Sequence, residues 1–122
     1  MENLSLEGRF RRALTAAMKR RDSVAMAACR SVLSAIANAE AVAQAPATPP
    51  GLPIAGAITG LGKGDVPRRQ MAPGEIASIV QAEIDEREKA AADYGAVGHI
   101  DEAEKLHAEA RIIGSVARGE DF

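Results

Sequence analysis

A segment rich in proline and glycine, residues 44–72, is the feature that most restricts how this chain of 122 residues can fold. It holds five of the six prolines and five of the eleven glycines. Proline removes a backbone donor and clashes inside a helix, so no helix can continue through this segment. A connection of this length is unusual inside a compact domain and indicates disorder or a functional role. Its apolar residues predict that part of it docks.

The composition on both sides of this segment favours helices. Much of the hydrophobic content of 47% is alanine, while the aromatic residues are only Phe10, Tyr94 and Phe122. Alanine is the best helix former, and strands favour β-branched and aromatic residues. A single cysteine, Cys29, excludes an internal disulfide and suits a reducing compartment. With no signal peptide or long apolar stretch evident, we expect a cytoplasmic protein that does not contact membranes.

Hydrophobic periodicity and capping residues predict four helices, over residues 6–21, 23–43, 73–94 and 102–113. Ser5, Asp22 and Asp101 are the expected N-caps, and Pro73 suits a first helical position. We expect the tail from 114 to 122 to fray. The prediction is therefore an all-α helical bundle of about four helices. It forms a single domain over 1–122, with the long Gly/Pro-rich connection between helices two and three.

Several short motifs resemble one known family. The sequences AAMKRRD at 16–22 and RSVLSAIANAE at 30–40 are similar to the N-terminal signature of the GatB/YqeY domain family. The second half carries further residues that match the family pattern: Glu75, Ile76, Ile79, Val80, Glu83, Ile84, Arg87, Tyr94, Gly98, Asp101, Ala103, Glu104 and Glu109. The resemblance covers roughly residues 9–113.

The resemblance implies an all-helical module related to the tail of the tRNA amidotransferase B subunit, where that tail helps to bind tRNA. It also implies a label of carbon–nitrogen ligase with glutamine as amido-N-donor, although no Cys–His or Ser–Lys machinery is evident for such chemistry. The family has a second, small C-terminal helical domain, which we expect to be missing here. Cys29 replaces the usual leucine, and Ala72 replaces a Ser/Thr helix cap.

Charge is divided along the chain. Residues 1–71 carry ten Lys/Arg and five Asp/Glu, whereas residues 72–122 carry five and twelve. The basic half includes nine residues that we predict to contact nucleic acid: Arg9, Arg11, Arg12, Lys19, Arg20, Arg21, Lys63, Arg68 and Arg69. Such side chains would contact phosphates without reading sequence. The alternative is an ordinary solvated helix face.

A second group of polar residues falls on inward-facing positions. Glu83, Arg87 and Tyr94 lie near one line of the third helix, and Glu40 falls on the apolar arc of the second. Because an unpaired buried charge is costly, we predict a cluster of these four residues between the two helices. It is either a general acid/base site or a buried ion-pair network that fixes helix register. We favour the network, since no nucleophile or second base is evident.

Metal and phosphate-loop motifs are incomplete. Glu104 and His107 form a single Glu-x-x-His, whereas a di-iron bundle needs two such pairs and two further glutamates. The Gly62-Lys63 pair lacks the glycine and the hydroxyl residue of a phosphate loop. Cys29, on an inward face, is expected to act as a small hydrophobe. We therefore predict no metal and no cofactor.

Three functions remain open from the sequence. The first is a tRNA-associated module in an aminoacylation or amidotransferase context, without catalysis of its own. The second is a structural module that binds a protein partner or forms a homodimer. The third is a small enzyme that uses Glu40, Glu83 and Arg87. We favour the first, because it accounts for both the basic helix and the resemblance.

Overall fold

The computed structural model describes residues 5–44 and 71–120, with only the backbone described at 43 and 44. Four helices form in these two stretches: α1 (Leu6–Arg20), α2 (Ser23–Gln44), α3 (Pro73–Ala96) and α4 (Ile100–Ala117). The prediction of an all-α bundle of about four helices is confirmed. Apart from its ends, the predicted connection over residues 44–72 lies outside the described residues.

The helices pack as two hairpins, α1 with α2 and α3 with α4. The α3–α4 contact is the most extensive, and α2 packs against both α3 and α4 to join the hairpins. The shared core contains ten buried side chains: Phe10, Ala13, Ala28, Cys29, Val32, Ile36, Ile76, Val80, Ile113 and Val116. All four helices contribute to it, so neither hairpin buries its apolar face alone.

The turn between α1 and α2 is fixed by local hydrogen bonds. Arg21 adopts a left-handed conformation with φ 57°, which lets the Asp22 N–H reach the carbonyl of Ala17 at 2.9 Å. The Asp22 carboxylate then accepts from the Ala25 N–H at 3.1 Å and caps α2. Ser5 caps α1 in the same way, by accepting from the Gly8 N–H at 3.1 Å. Both predicted caps are confirmed.

The limits predicted for α4 were wrong at both ends. The helix begins at Ile100, with His99 as an N-cap that makes no side-chain capping bond, so Asp101 lies inside the first turn. A carboxylate there is still favourable beside the positive end of the helix dipole. At the other end the helix continues to Ala117, because Val116 is buried in the core and offsets the low helix propensity of Gly114.

Helix α3 begins with an incomplete capping box. The Glu75 carboxylate accepts from the Ala72 N–H at 2.8 Å, but the alanine side chain has no oxygen to return a bond to the helix.

We expect Ala72→Ser to raise the free energy of unfolding by about 1 kcal/mol. Urea unfolding followed by circular dichroism measures this change. Ala82→Ser, exposed in the middle of α3, is the matched control and should be slightly destabilising. Equal effects of the two substitutions would contradict the capping argument.

Candidate functional site

Five cationic side chains are exposed on α1 and at its C-terminal end: Arg11, Arg12, Lys19, Arg20 and Arg21. We call this set the α1 basic face. Arg12 and Lys19 lie seven residues apart, so they share one line of the helix at a separation of about 10 Å along its axis. Phe10, Ala13 and Ala17 are buried on the opposite side. The amphipathic pattern predicted from the sequence is therefore what orients these cations toward solvent.

Arg9 was predicted to belong with these cations, but the structure gives it another place. Its guanidinium Nη1 donates to the backbone carbonyl of Ala117 at 2.6 Å, at the C-terminal end of α4. A cation at this end meets the negative end of the helix dipole and a carbonyl that has no partner within the helix. Arg9 therefore links α1 to α4, and we leave it out of the α1 basic face.

Two members of the α1 basic face are held by nearby carboxylates. Arg11 pairs with Glu7 at 2.6 Å, and Arg20 lies 3.5 Å from Asp22. The side chains of Arg11 and Arg20 keep exposed fractions of 66% and 48%. Surface ion pairs of this kind contribute little free energy and are weakened by salt. An incoming phosphate can therefore compete for these arginines.

The other three cations predicted to contact nucleic acid are Lys63, Arg68 and Arg69, and they lie outside the described residues. The described part of the α1–α2 hairpin has one further exposed cation, Arg30 on α2, which was not among the predicted site residues. Its exposed position next to the buried Ala28 and Cys29 follows from the helical periodicity, which would have been the signal for it.

Charge separates between the two hairpins. Residues 5–44 carry seven Lys/Arg and three Asp/Glu, whereas residues 71–120 carry five and eleven. The α1–α2 hairpin is therefore basic and the α3–α4 hairpin acidic. Summed charges of this kind set the sign of the potential that an approaching ligand meets. The asymmetry seen along the sequence thus becomes an asymmetry between two hairpins.

A network of two ion pairs and one hydrogen bond links α2, α3 and α4. Arg87 donates from Nη1 to Glu83 Oε1 and from Nε to Glu109 Oε1, each at 2.9 Å. The Ser31 hydroxyl donates to the same Glu83 oxygen at 2.7 Å. We call Ser31, Glu83, Arg87 and Glu109 the Arg87 cluster. The predicted pairing of Glu83 with Arg87 is present, while Ser31 and Glu109 were not predicted as members.

The side chains of the Arg87 cluster are largely buried, and their polar groups have hydrogen-bond partners. The side chains of Glu83, Arg87 and Glu109 are only 10–14% exposed. Among the described residues, no buried side-chain nitrogen or oxygen lacks a hydrogen-bond partner. The paired charges fix how α3 and α4 align, because a slip between these helices would leave a buried charge unpaired. The Ser31 hydrogen bond ties α2 to the same carboxylate. The arrangement suits the predicted register network better than an acid/base site.

The other two residues of the predicted polar cluster lie elsewhere. Glu40 is buried on α2, as its inward position predicted, but the hydrogen bonds of the Arg87 cluster do not include it. Including Tyr94 was wrong: its side chain is 43% exposed, and its ring meets His99 edge to face with centroids 6.0 Å apart. Tyr94 lies two helical turns beyond Arg87, about 10 Å along the axis, so a shared angular position does not bring them together.

Cys29 is buried in the core. Burial, with a smaller contribution from the negative charge of Asp22, raises the pKa of its thiol to about 11. Since the thiolate is the reactive form, we expect a thiol reagent at pH 8 to modify native Cys29 at least about 100-fold more slowly than the denatured chain. Absorbance of the released leaving group measures both rates. A native rate equal to the denatured rate would contradict this placement.

The single Glu104-x-x-His107 motif does not bring its two side chains together as metal ligands. His107 Nδ1 lies 3.1 Å from Glu88 of α3, while Glu104 is exposed. Over residues 5–44 and 71–120, no group of three or more His, Cys, Asp or Glu residues is arranged to hold a metal ion. Nor does any helix within these ranges have the length and apolar character needed to cross a membrane.

Comparisons of the chain with protein-family models, with curated proteins and with solved structures found no match.

Proposed function

We propose that this chain is a helical RNA-binding module that contacts tRNA phosphates through the α1 basic face and has no catalysis of its own. The observation that carries the proposal is the set of exposed cations on one helix of a basic hairpin, with most of the carboxylates on the other hairpin. The resemblance to the GatB/YqeY family supports tRNA as the RNA and an aminoacylation or amidotransferase context for it.

The chemistry of the α1 basic face suits a phosphate backbone. Arginine forms two parallel hydrogen bonds to one phosphate, and each neutralised phosphate releases condensed counterions. Among the described residues, no aromatic side chain is available on this face for base stacking, because Phe10 is buried and Tyr94 lies on the other hairpin. We therefore expect binding that depends strongly on salt and little on sequence.

The Arg87 cluster supports a module without catalysis. Its carboxylates already accept from Arg87, and Glu83 also accepts from Ser31. The thiol of Cys29 is buried, and its raised pKa keeps it protonated at neutral pH. A catalytic acid, base or nucleophile must reach the atom on which it acts. These buried groups serve packing instead.

The proposal is tested by the binding of fluorescently labelled total tRNA, followed by anisotropy at low salt. The α1 variant is Arg12→Gln, Lys19→Gln and Arg21→Gly, in which glycine suits the positive φ of residue 21. The matched control is Lys89→Gln, Lys105→Gln and Arg111→Gln, which removes three exposed cations from the acidic hairpin. Both variants lose the same net charge.

We expect the α1 variant to bind tRNA at least about tenfold more weakly than the unchanged chain, and the control to bind within about twofold of it. Circular dichroism checks that each variant is folded. Equal loss in both variants would mean that net charge rather than this face determines binding. No binding of the unchanged chain even at low salt would contradict the proposal outright.

A further inference from the structure

The turn between α3 and α4 exposes a concentration of apolar side chains. Five large hydrophobic residues are exposed among the described residues, and three of them, Tyr94, Val97 and Ile100, fall within seven consecutive positions. Val97 is 70% exposed and Ile100 54% exposed. We call residues 93–102 the α3–α4 tip. Single exposed apolar residues are common, whereas a cluster of them is typical of surfaces that bind a partner.

The tip has a preformed shape. A shallow depression there is lined by Ala90, Asp93, Tyr94, Val97 and His99. Two of the lining rings, those of Tyr94 and His99, contact each other edge to face. The turn beneath it is fixed, since the His99 N–H donates to the Tyr94 carbonyl at 2.9 Å and Gly98 supplies a positive φ of 87°. A depression built on a fixed turn needs little ordering to receive a ligand.

Carboxylates surround this apolar surface. Asp93, Asp101 and Glu102 are all exposed at the tip, and no lysine or arginine occurs between residues 90 and 104. His99 lies 3.8 Å from Glu102, and Lys89 and Lys105 each lie one helical turn from Asp93 and Asp101, respectively. Over residues 89–105 four carboxylates outnumber these two lysines, so the tip keeps a negative charge. The tip therefore combines an apolar depression with a negative rim, and its complement is an apolar side chain flanked by cations.

We propose that the α3–α4 tip docks a short cationic segment of another protein, with one apolar side chain in the depression and Lys/Arg side chains on Asp93, Asp101 and Glu102. RNA and anionic lipid do not fit, because the rim repels phosphate. A second copy fits poorly, since three partly exposed side chains offer far less than the roughly 800 Å² per partner of a stable interface. The inference is independent of the proposed tRNA binding, which uses the other hairpin.

The test is an NMR titration of the isotope-labelled full chain with short synthetic peptides. One peptide alternates lysine with leucine, a second alternates lysine with serine, and a third alternates glutamate with leucine. The lysine–leucine peptide is expected to shift the amide signals of residues 90–102 and to leave those of α1 unchanged. The lysine–serine peptide should bind at least about tenfold more weakly because nothing enters the depression, and the glutamate–leucine peptide should not bind.

Two variants make the test specific to the tip. Val97→Ser with Ile100→Ser removes the apolar surface, while Val42→Ser, at a position that is 75% exposed on α2, is the matched control. We expect the tip variant to bind the lysine–leucine peptide about tenfold more weakly and the control to bind as the unchanged chain does. Because all three positions are exposed, circular dichroism should show that both variants are folded.

Three results would overturn the proposal. The first is a set of shifts spread evenly over the carboxylates of α3 and α4, which would indicate unspecific charge attraction. The second is equal peptide binding by the tip variant and the control. The third is concentration-dependent self-association of the chain that the tip variant abolishes, which would assign the tip to a second copy.

Discussion

Replacing Arg87 by methionine is expected to lower the free energy of unfolding by about 3–5 kcal/mol. Removing one partner of a buried ion pair leaves the other charge without compensation, and here two carboxylates lose their cation at once. Glu83 and Glu109 each lie 2.9 Å from the guanidinium and are largely enclosed. Methionine retains much of the side-chain volume, so the loss reports charge rather than a cavity. Urea unfolding followed by circular dichroism measures it.

A second variant separates the effect of the unpaired charges from that of altered packing. Adding Glu83→Gln and Glu109→Gln to Arg87→Met removes all three charges and leaves the glutamine amides able to accept hydrogen bonds. We expect this triple variant to recover most of the stability lost by Arg87→Met, because no buried charge remains unpaired. A triple variant as unstable as the single one would mean that Arg87 acts through packing, and it would contradict the role assigned to the Arg87 cluster.

Phe10→Ala is the other substitution with a large expected effect, and it should lower the free energy of unfolding by about 3–5 kcal/mol. Phe10 is fully buried and is the largest side chain of the shared core. Truncation removes its buried apolar surface and leaves a cavity that rigid helices fill only in part. A domain of this size has a free energy of unfolding of roughly 5–15 kcal/mol, so the variant would lose a large share of it. Thermal and urea unfolding give the change.

Met18→Ala is the matched control for Phe10→Ala. Both residues lie on α1, but the Met18 side chain is 51% exposed. Surface substitutions usually change stability by less than about 0.5 kcal/mol, and alanine is the better helix former. Comparable losses in the two variants would contradict the orientation of α1 on which the α1 basic face depends.

Local chemistry allowed much of the fold to be predicted. Ser5 and Asp22 act as caps because a short side chain next to a helix start needs only the neighbouring N–H groups. The Glu83–Arg87 pair follows from i,i+4 spacing on one helix. The exposed cations of the α1 basic face follow from the 3.6-residue period. Each of these features depends on residues within one or two helical turns.

Features that depend on distant parts of the chain were not predicted. Arg9 lies at the α1–α4 junction because the Ala117 carbonyl is brought there by tertiary packing, 108 residues away. Glu109 joins the Arg87 cluster from α4, although its spacing of three and four residues from Leu106 and Ile113 would have placed it on the inward face. The prediction that Tyr94 joins the cluster was wrong because a helical wheel shows the direction of a side chain around the helix axis but not its position along that axis.

The start of α4 shows how a motif can mislead. Asp101 and Glu104 have capping-box spacing, yet the helix begins at Ile100. Gly98, with its positive φ, lies two residues before Ile100 and turns the chain so that the helix can begin at Ile100. The same turn exposes Val97 and Ile100. The surface proposed as a docking site was therefore not predicted from the sequence.

The central claim is that the α1 basic face binds tRNA through its phosphates, and the salt dependence of binding tests it most directly. The measurement is the slope of log K against log salt concentration for the unchanged chain, the α1 variant and the Lys89/Lys105/Arg111 control. Each lost phosphate contact lowers the slope by about one, so we predict a slope smaller by about two to three in the α1 variant and unchanged in the control. Identical slopes in all three proteins would contradict the claim.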